Sequence, residues 1–167
     1  LYSGRELSQE ELASLRESAA ASGCRARALR MLGARMLSRK ELYDKLIEKG
    51  ETRENADSAV ARMEELGYID DAEYAAAIVR RYSGQGSGLG RVRQELYRRG
   101  VPKELWETAL GQMPEDTSVI DDLLRRRLSG REEDQRERRR AVDMLRRRGF
   151  SWEEIKSALQ RMGAPDC

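Results

Sequence analysis

The sequence predicts an all-α protein: three tandem three-helix repeats of about 50 residues each, forming an elongated, curved right-handed array with a short leading helix. Three observations predict this fold. The chain of 167 residues is rich in Ala, Glu, Leu and Arg and has 5% aromatic residues, a balance that favours helices over strands. Charged residues make up 37%, which leaves too little apolar material for one thick core and suits a thin layer of helices. One motif recurs three times at nearly constant spacing, the signature of a repeat architecture.

The motif is Leu-x-x-x-Gly with fixed followers. Leu46 and Gly50 are followed by Glu54, Ala59 and Met63; Leu96 and Gly100 by Glu104, Ala109 and Met113; Leu145 and Gly149 by Glu153, Ala158 and Met162. Each Leu precedes its Gly by four residues, and Glu, Ala and Met follow it by four, nine and thirteen. The glycines lie 50 and 49 residues apart. A helix that ends in basic residues and then Gly stops there, because Gly supplies the left-handed C′ conformation and the cations suit the negative end of the helix dipole.

The elements follow in order. Residues 1–23 form a leading helix and linker, opened by the capping pattern Ser8-Gln-Glu-Glu11 and carrying Leu12 and Leu15. Repeat 1 spans 24–68: a helix near 24–36, a second capped by Ser38 with Glu41, and a third capped by Thr52, whose apolar stripe is Ala56, Ala59, Val60 and Met63. Repeat 2 spans 69–113: a helix near 71–83 capped by Asp70, a helix ending before Gly100, and a third with Pro102 at its N1 position. Repeat 3 spans 114–162: a helix near 117–128, one ending before Gly149, and one opened by the capping box Ser151-Trp-Glu-Glu154. Residues 163–167 are a tail. The glycine-rich stretch from Tyr82 to Gly90 is expected to be a mobile loop. Tyr68, Tyr74, Trp106 and Trp152 are expected to pack in cores or between helices.

Several functions are disfavoured. No histidine is present to act as a base near neutral pH. The stretch Gly84–Gly90 lacks the Lys-Ser/Thr of a phosphate-binding loop. Asp70 and Asp71 have no third carboxylate at ligand spacing, so they read as helix-start residues beside Gly67 and Tyr68, not as a metal site. No catalytic, metal or cofactor residue is assigned. The two cysteines, Cys24 and Cys167, imply no disulfide framework, and a cytoplasmic, monomeric protein with no membrane span is expected. The chain opens on Leu1, so an upstream segment is expected.

Net charge is only +2, so any anionic partner must be met by local arrangement. Candidate partner-binding residues are Arg35, Arg39, Lys40, Lys49, Arg80, Arg81, Arg98, Arg99, Arg146, Arg147 and Arg148. Those just before the repeat glycines would form a periodic basic ladder. The runs 125–127 and 138–140 are interspersed with acids, and internal pairing is expected for some of them.

The stretch Ala28–Leu42, with Lys45-Leu46 and Gly50, resembles the opening repeat of the RecX family. Leu66-Gly67-Tyr68-Ile69-Asp70-Asp71, followed by Tyr74-Ala75, is similar to that family's most characteristic motif, with Tyr74 where Phe is usual. Gly90, Leu96, Arg99-Gly100-Val101 and Arg148-Gly149-Phe150-Ser151 match as well, so the resemblance covers about residues 25–162. It implies a non-enzymatic modulator that lies along the groove of the RecA recombinase filament. Such a protein inhibits ATP hydrolysis, strand exchange and co-protease activity, bearing on recombination, DNA repair and the SOS response. Weak DNA binding is implied too. The competing readings are a sequence-tolerant DNA-binding protein with helix-turn-helix-like repeats and a generic helical scaffold.

Overall fold

The computed structural model describes residues 8–114, 117–130 and 134–163, and among them every regular element is helical. The helices are α1 (Gln9–Ala34), α2 (Arg39–Glu48), α3 (Arg53–Glu65), α4 (Asp71–Gly84), α5 (Leu89–Arg98), α6 (Trp106–Leu110, entered through a 3-10 turn Lys103–Leu105), α7 (Ser118–Leu128), α8 (Gln135–Arg147) and α9 (Trp152–Arg161). Taken in threes they are three three-helix domains. The chain divides into two compact units, Leu1–Asp71 and Ala72–Cys167.

In the first unit the Ser8 hydroxyl accepts from the Glu11 N–H, and the Glu11 carboxylate accepts from the Ser8 N–H, so a capping box starts α1 as the sequence indicates. The helix then runs unbroken to Ala34, so the leading helix and the first helix of repeat 1 are one element. No proline interrupts this stretch, and the glycine where the two predicted helices join, Gly23, costs only about 1 kcal/mol relative to Ala. Residues 12–20 are all exposed; burial begins at Cys24 and Ala28. From there α1 packs with α2 and α3 around Leu37, Leu42, Leu46, Ala56, Ala59, Val60 and Met63. Asp71 closes the unit: its carboxylate accepts from the Arg39 N–H at 2.9 Å, satisfying an orphan donor in the first turn of α2.

The repeat motif has one structural meaning in all three domains. Gly50, Gly100 and Gly149 sit at φ +86°, +65° and +87°. The residue after each donates its N–H to the carbonyl of the motif leucine: Glu51 to Leu46, Val101 to Leu96, Phe150 to Leu145. Each Gly N–H bonds to the carbonyl three residues back. This is a Schellman reversal, with the motif Leu at C3, its carbonyl ending the helix and its side chain fully buried. Glu54 and Glu153 then fall in the first turn of the next helix, where the dipole favours an acid, and Glu104 falls in the 3-10 turn. Ala59, Ala109 and Ala158 are buried where that helix crosses its neighbours. Met63 is buried, while Met113 and Met162 are half-buried against their cores.

The second unit holds two separate cores, one under α4 to α6 around Val79, Val92 and Leu96, the other under α7 to α9 around Leu124, Leu128, Leu145 and Ile155. Pro102, at φ −56° and ψ 136°, stands just outside its helix as the cap of the 3-10 turn instead of at N1. The segment expected to be a mobile loop is a built joint. α4 continues through Gly84, Gly86 turns the chain at φ +70°, and residues 85–90 dock on the turn after α8. Gly88 N–H donates to Arg148 O at 2.8 Å and Gly90 N–H to Gly149 O at 2.9 Å. A Cβ on Gly88 would lie 2.6 Å from Gly149 O, and one on Gly149 would lie 2.1 Å from Arg91 N. Glycine richness reads the same way in sequence whether it serves freedom or close backbone approach; here it serves approach.

The aromatic expectations divide. Tyr74 is buried, and Trp106 is half-buried with its indole N–H on Val101 O at 3.0 Å. Tyr68 and Trp152 are not core residues, being 55% and 43% exposed. Ile69 takes the core position after the Gly67 reversal, and Phe150 does so ahead of α9.

Two measurements test this account. Gly50 and Gly149 share nearly the same φ, but a Cβ on Gly50 meets nothing within 4 Å. By thermal or urea melting, G50A is expected to lose about 1 kcal/mol from the left-handed backbone alone. G149A is expected to lose a further ~1–3 kcal/mol from forced overpacking; equal losses would mean the joint is not tight. Ser38, fully buried and the N-cap of α2, is expected to cost about 1–2 kcal/mol when changed to Ala, through its lost bond to the Glu41 N–H.

Candidate basic interface

The helix-end cations stand in different surroundings. Arg98 and Arg99 both hold Glu95, whose side chain is 3% exposed on α5. Arg98 Nη2 and Arg99 Nε lie 2.5 and 2.7 Å from its Oε1, and Arg98 Nε lies 2.9 Å from its Oε2. Hydrogen bonds from Arg98 chiefly, and from Arg99, push the Glu95 carboxyl down to about 2 against the opposing effect of burial. An ionised, hydrogen-bonded carboxylate is tolerated in this core only with both partners in place. Arg148 is half-buried and donates to the carbonyls of Gln85 and Gly86 at 3.0 and 3.3 Å, so it caps the turn after α4. These three side chains belong to the fold of the second unit.

Other candidates are paired at the surface. Arg35 binds Glu41 at 3.2 Å, Arg39 binds Glu64 at 3.3 Å, Lys40 binds Asp44 at 2.5 Å and Arg80 binds Glu73 at 2.7 Å. Exposed pairs of this kind contribute about 0–1 kcal/mol and can be exchanged for a partner's groups at little cost. Lys49, Arg81, Arg146 and Arg147 are exposed and make no ion pair with any described residue. In the arginine runs, Arg125 pairs with Asp122, and Arg127 and Arg140 pair with Glu137, as expected of some of them.

The structure adds Arg93, Arg136, Arg139 and Arg140 to the candidates. The exposed face of α8 presents Arg136, Arg139, Arg140, Arg146 and Arg147, interrupted by Asp143. Arg136, Arg139, Arg146 and Arg147 form no ion pair among the described residues. At the C-terminal end of α8 these cations reach a cleft of about 740 Å³ whose opposite wall carries Arg93 of α5. The spacing of 136, 139, 140 and 147 is a helical face, legible once α8 is registered by its buried Ala141 and Leu145. Asp71 and Asp70 gather no metal-ligand group, and among the described residues no cluster of three His, Cys, Asp or Glu could hold a metal ion. No helix of the described residues is long and apolar enough to cross a membrane.

Comparison with known proteins agrees with this architecture domain by domain. Residues 24–63 match the family domain described as RecX, first three-helix domain; residues 70–110 match the second, and residues 114–159 the third. A regulatory protein RecX of Xanthomonas axonopodis pv. citri (strain 306) is 40% identical over 134 residues, covering 79% of this chain and 83% of the relative. One of Vibrio vulnificus (strain CMCP6) is 33% identical over 138 residues, covering 81% and 90%. A crystal structure of regulatory protein RecX superposes with a TM-score of 0.80 at 22% identity, covering 96% of this chain and 81% of that one. RecX from Lactobacillus salivarius superposes with a TM-score of 0.78 at 20% identity, covering 87% and 98%. With its three domains matched in order by the family's own three, the chain belongs to the RecX family of regulatory proteins.

Proposed function

We propose that this protein regulates the RecA recombinase by binding its filament and inhibiting ATP hydrolysis, strand exchange and co-protease activity, and so restrains recombination, repair and the SOS response. The protein does this in the cytoplasm, as a monomer and without catalysis of its own. The observation that supports the reading most is the ordered match of all three domains to the RecX family. A filament presents the same surface at regular intervals, and a chain of similar modules can meet neighbouring subunits with equivalent faces. We place the module boundaries at 24–68, 69–113 and 114–162. Exposed cations on each module, weakly paired or without an ion pair among the described residues, supply electrostatic complementarity to an acidic surface, which speeds encounter and fixes register.

The test is the single-stranded-DNA-dependent ATPase of RecA titrated with this protein. Strong inhibition below one molecule per RecA monomer, unrelieved by added DNA, is expected; no inhibition, or relief by DNA alone, would overturn the reading. Of the candidate residues, Lys49 and Arg81 lie outside the α5–α8 cleft and lack an ion pair among the described residues. The double charge reversal K49E/R81E is expected to raise the half-inhibiting concentration several-fold. Thermal stability should stay within about 0.5 kcal/mol per substitution.

A further inference from the structure

Three arginines from two different domains converge on one cleft. Arg93 comes from the exposed face of α5, and Arg146 and Arg147 from the last turn of α8. All three are exposed, and none forms an ion pair with a described residue. Each helix has one acid that does pair: Glu95 takes Arg98 and Arg99, and Glu137 takes Arg127 and Arg140. The three cleft arginines are not among the cations that these acids hold. Glu154 also lines it, but its carboxylate already accepts from the Ser151 N–H at 2.7 Å in the capping box of α9. Phe150 supplies an apolar wall.

The glycine joint fixes this convergence. Gly88 and Gly90 bring the start of α5 onto the Gly149 turn that ends α8, with two backbone hydrogen bonds between them. Arg93 is thereby held opposite Arg146 and Arg147 by main-chain contacts that need no bound ligand. Three guanidinium groups facing one cleft repel each other when it is empty. An anion with several acceptor oxygens removes that repulsion, and the planar guanidinium donates to phosphate in bidentate fashion.

We infer that the cleft between α5 and α8 is a phosphate-binding site shared by the second and third domains. The phosphates of a nucleic-acid strand suit it better than a free nucleotide, because cations with no ion pair among the described residues continue beyond its edge. Arg139 and Arg136 continue along the same helix face, and from Arg136 to Arg147 α8 rises about 16 Å. A row of charge of that length fits successive phosphates of one strand. The site is independent of filament binding, and either assignment can fail alone.

The chain is titrated against a fluorescent oligothymidylate by anisotropy, from about 50 to about 200 mM salt. The variant R93A/R147A is expected to bind roughly tenfold more weakly at the lowest salt. Its log–log salt slope should be shallower by about 1.4, from two lost phosphate contacts at ~0.7 each. The pair R16A/R30A, on exposed positions of α1, is the control and should change neither quantity. An equal loss in the control would show diffuse attraction and overturn the site. Competition by ATP at equal phosphate concentration separates the sources: weak competition supports a strand, and full competition a free nucleotide, both within phosphate chemistry. If R93A/R147A keeps its oligonucleotide affinity, the phosphate assignment is wrong. Should that same variant lose inhibition of the RecA ATPase, the cleft contacts the protein of the filament instead.

Discussion

The architecture depends on a single backbone event repeated three times: a leucine carbonyl accepting from the residue beyond a left-handed glycine. The reversal ends one helix, starts the next within a few residues, and buries the leucine under the turn it has just closed. Since the glycine leaves the helix with a defined geometry, the crossing of the two helices is set locally, before any long-range contact is made. The buried alanine nine residues on permits that crossing to be close. Each domain therefore needs only a small core, and the chain can carry so high a proportion of charge without forfeiting a fold.

Much of this was legible in the sequence because the signals were chemical and local. Gly with a preceding Leu and a following Glu names a stop and a start. Ser8, Ser38 and Ser151, each with Glu three residues later, name capping boxes that are all present. What was not legible depended on distance in space. No local pattern distinguishes a glycine that frees a loop from one that lets two backbones touch, so Gly88 and Gly90 were misread. Nor does a pattern tell where the leading helix ends when nothing in residues 12–30 stops it.

The candidate site was legible as a composition of cations and not as a surface. Arg98, Arg99 and Arg148 stand at equivalent helix ends, yet each has been drawn into holding its own fold together. Whether an arginine faces a partner or its own chain is settled by what the neighbouring element brings, such as Glu95 one turn back or the carbonyls of Gln85 and Gly86. The cations left over on α8 are selected by the burial of Arg138, Ala141 and Leu145 on the opposite side of the helix. Within the arginine runs, Arg125, Arg127 and Arg140 pair internally, while Arg139 forms no ion pair among the described residues.

The joint in the second unit is written in main-chain atoms and in positions with no side chain. Side chains around it can drift in size and charge without altering the hydrogen bonds that make it, whereas a single methyl group at Gly88 or Gly149 cannot be accommodated. Evolutionary freedom and mechanical constraint are thus assigned to different atoms of the same few residues. A lineage could recolour the whole surface of these two domains, adapting it to a changing partner, and still present that surface at an unchanged angle.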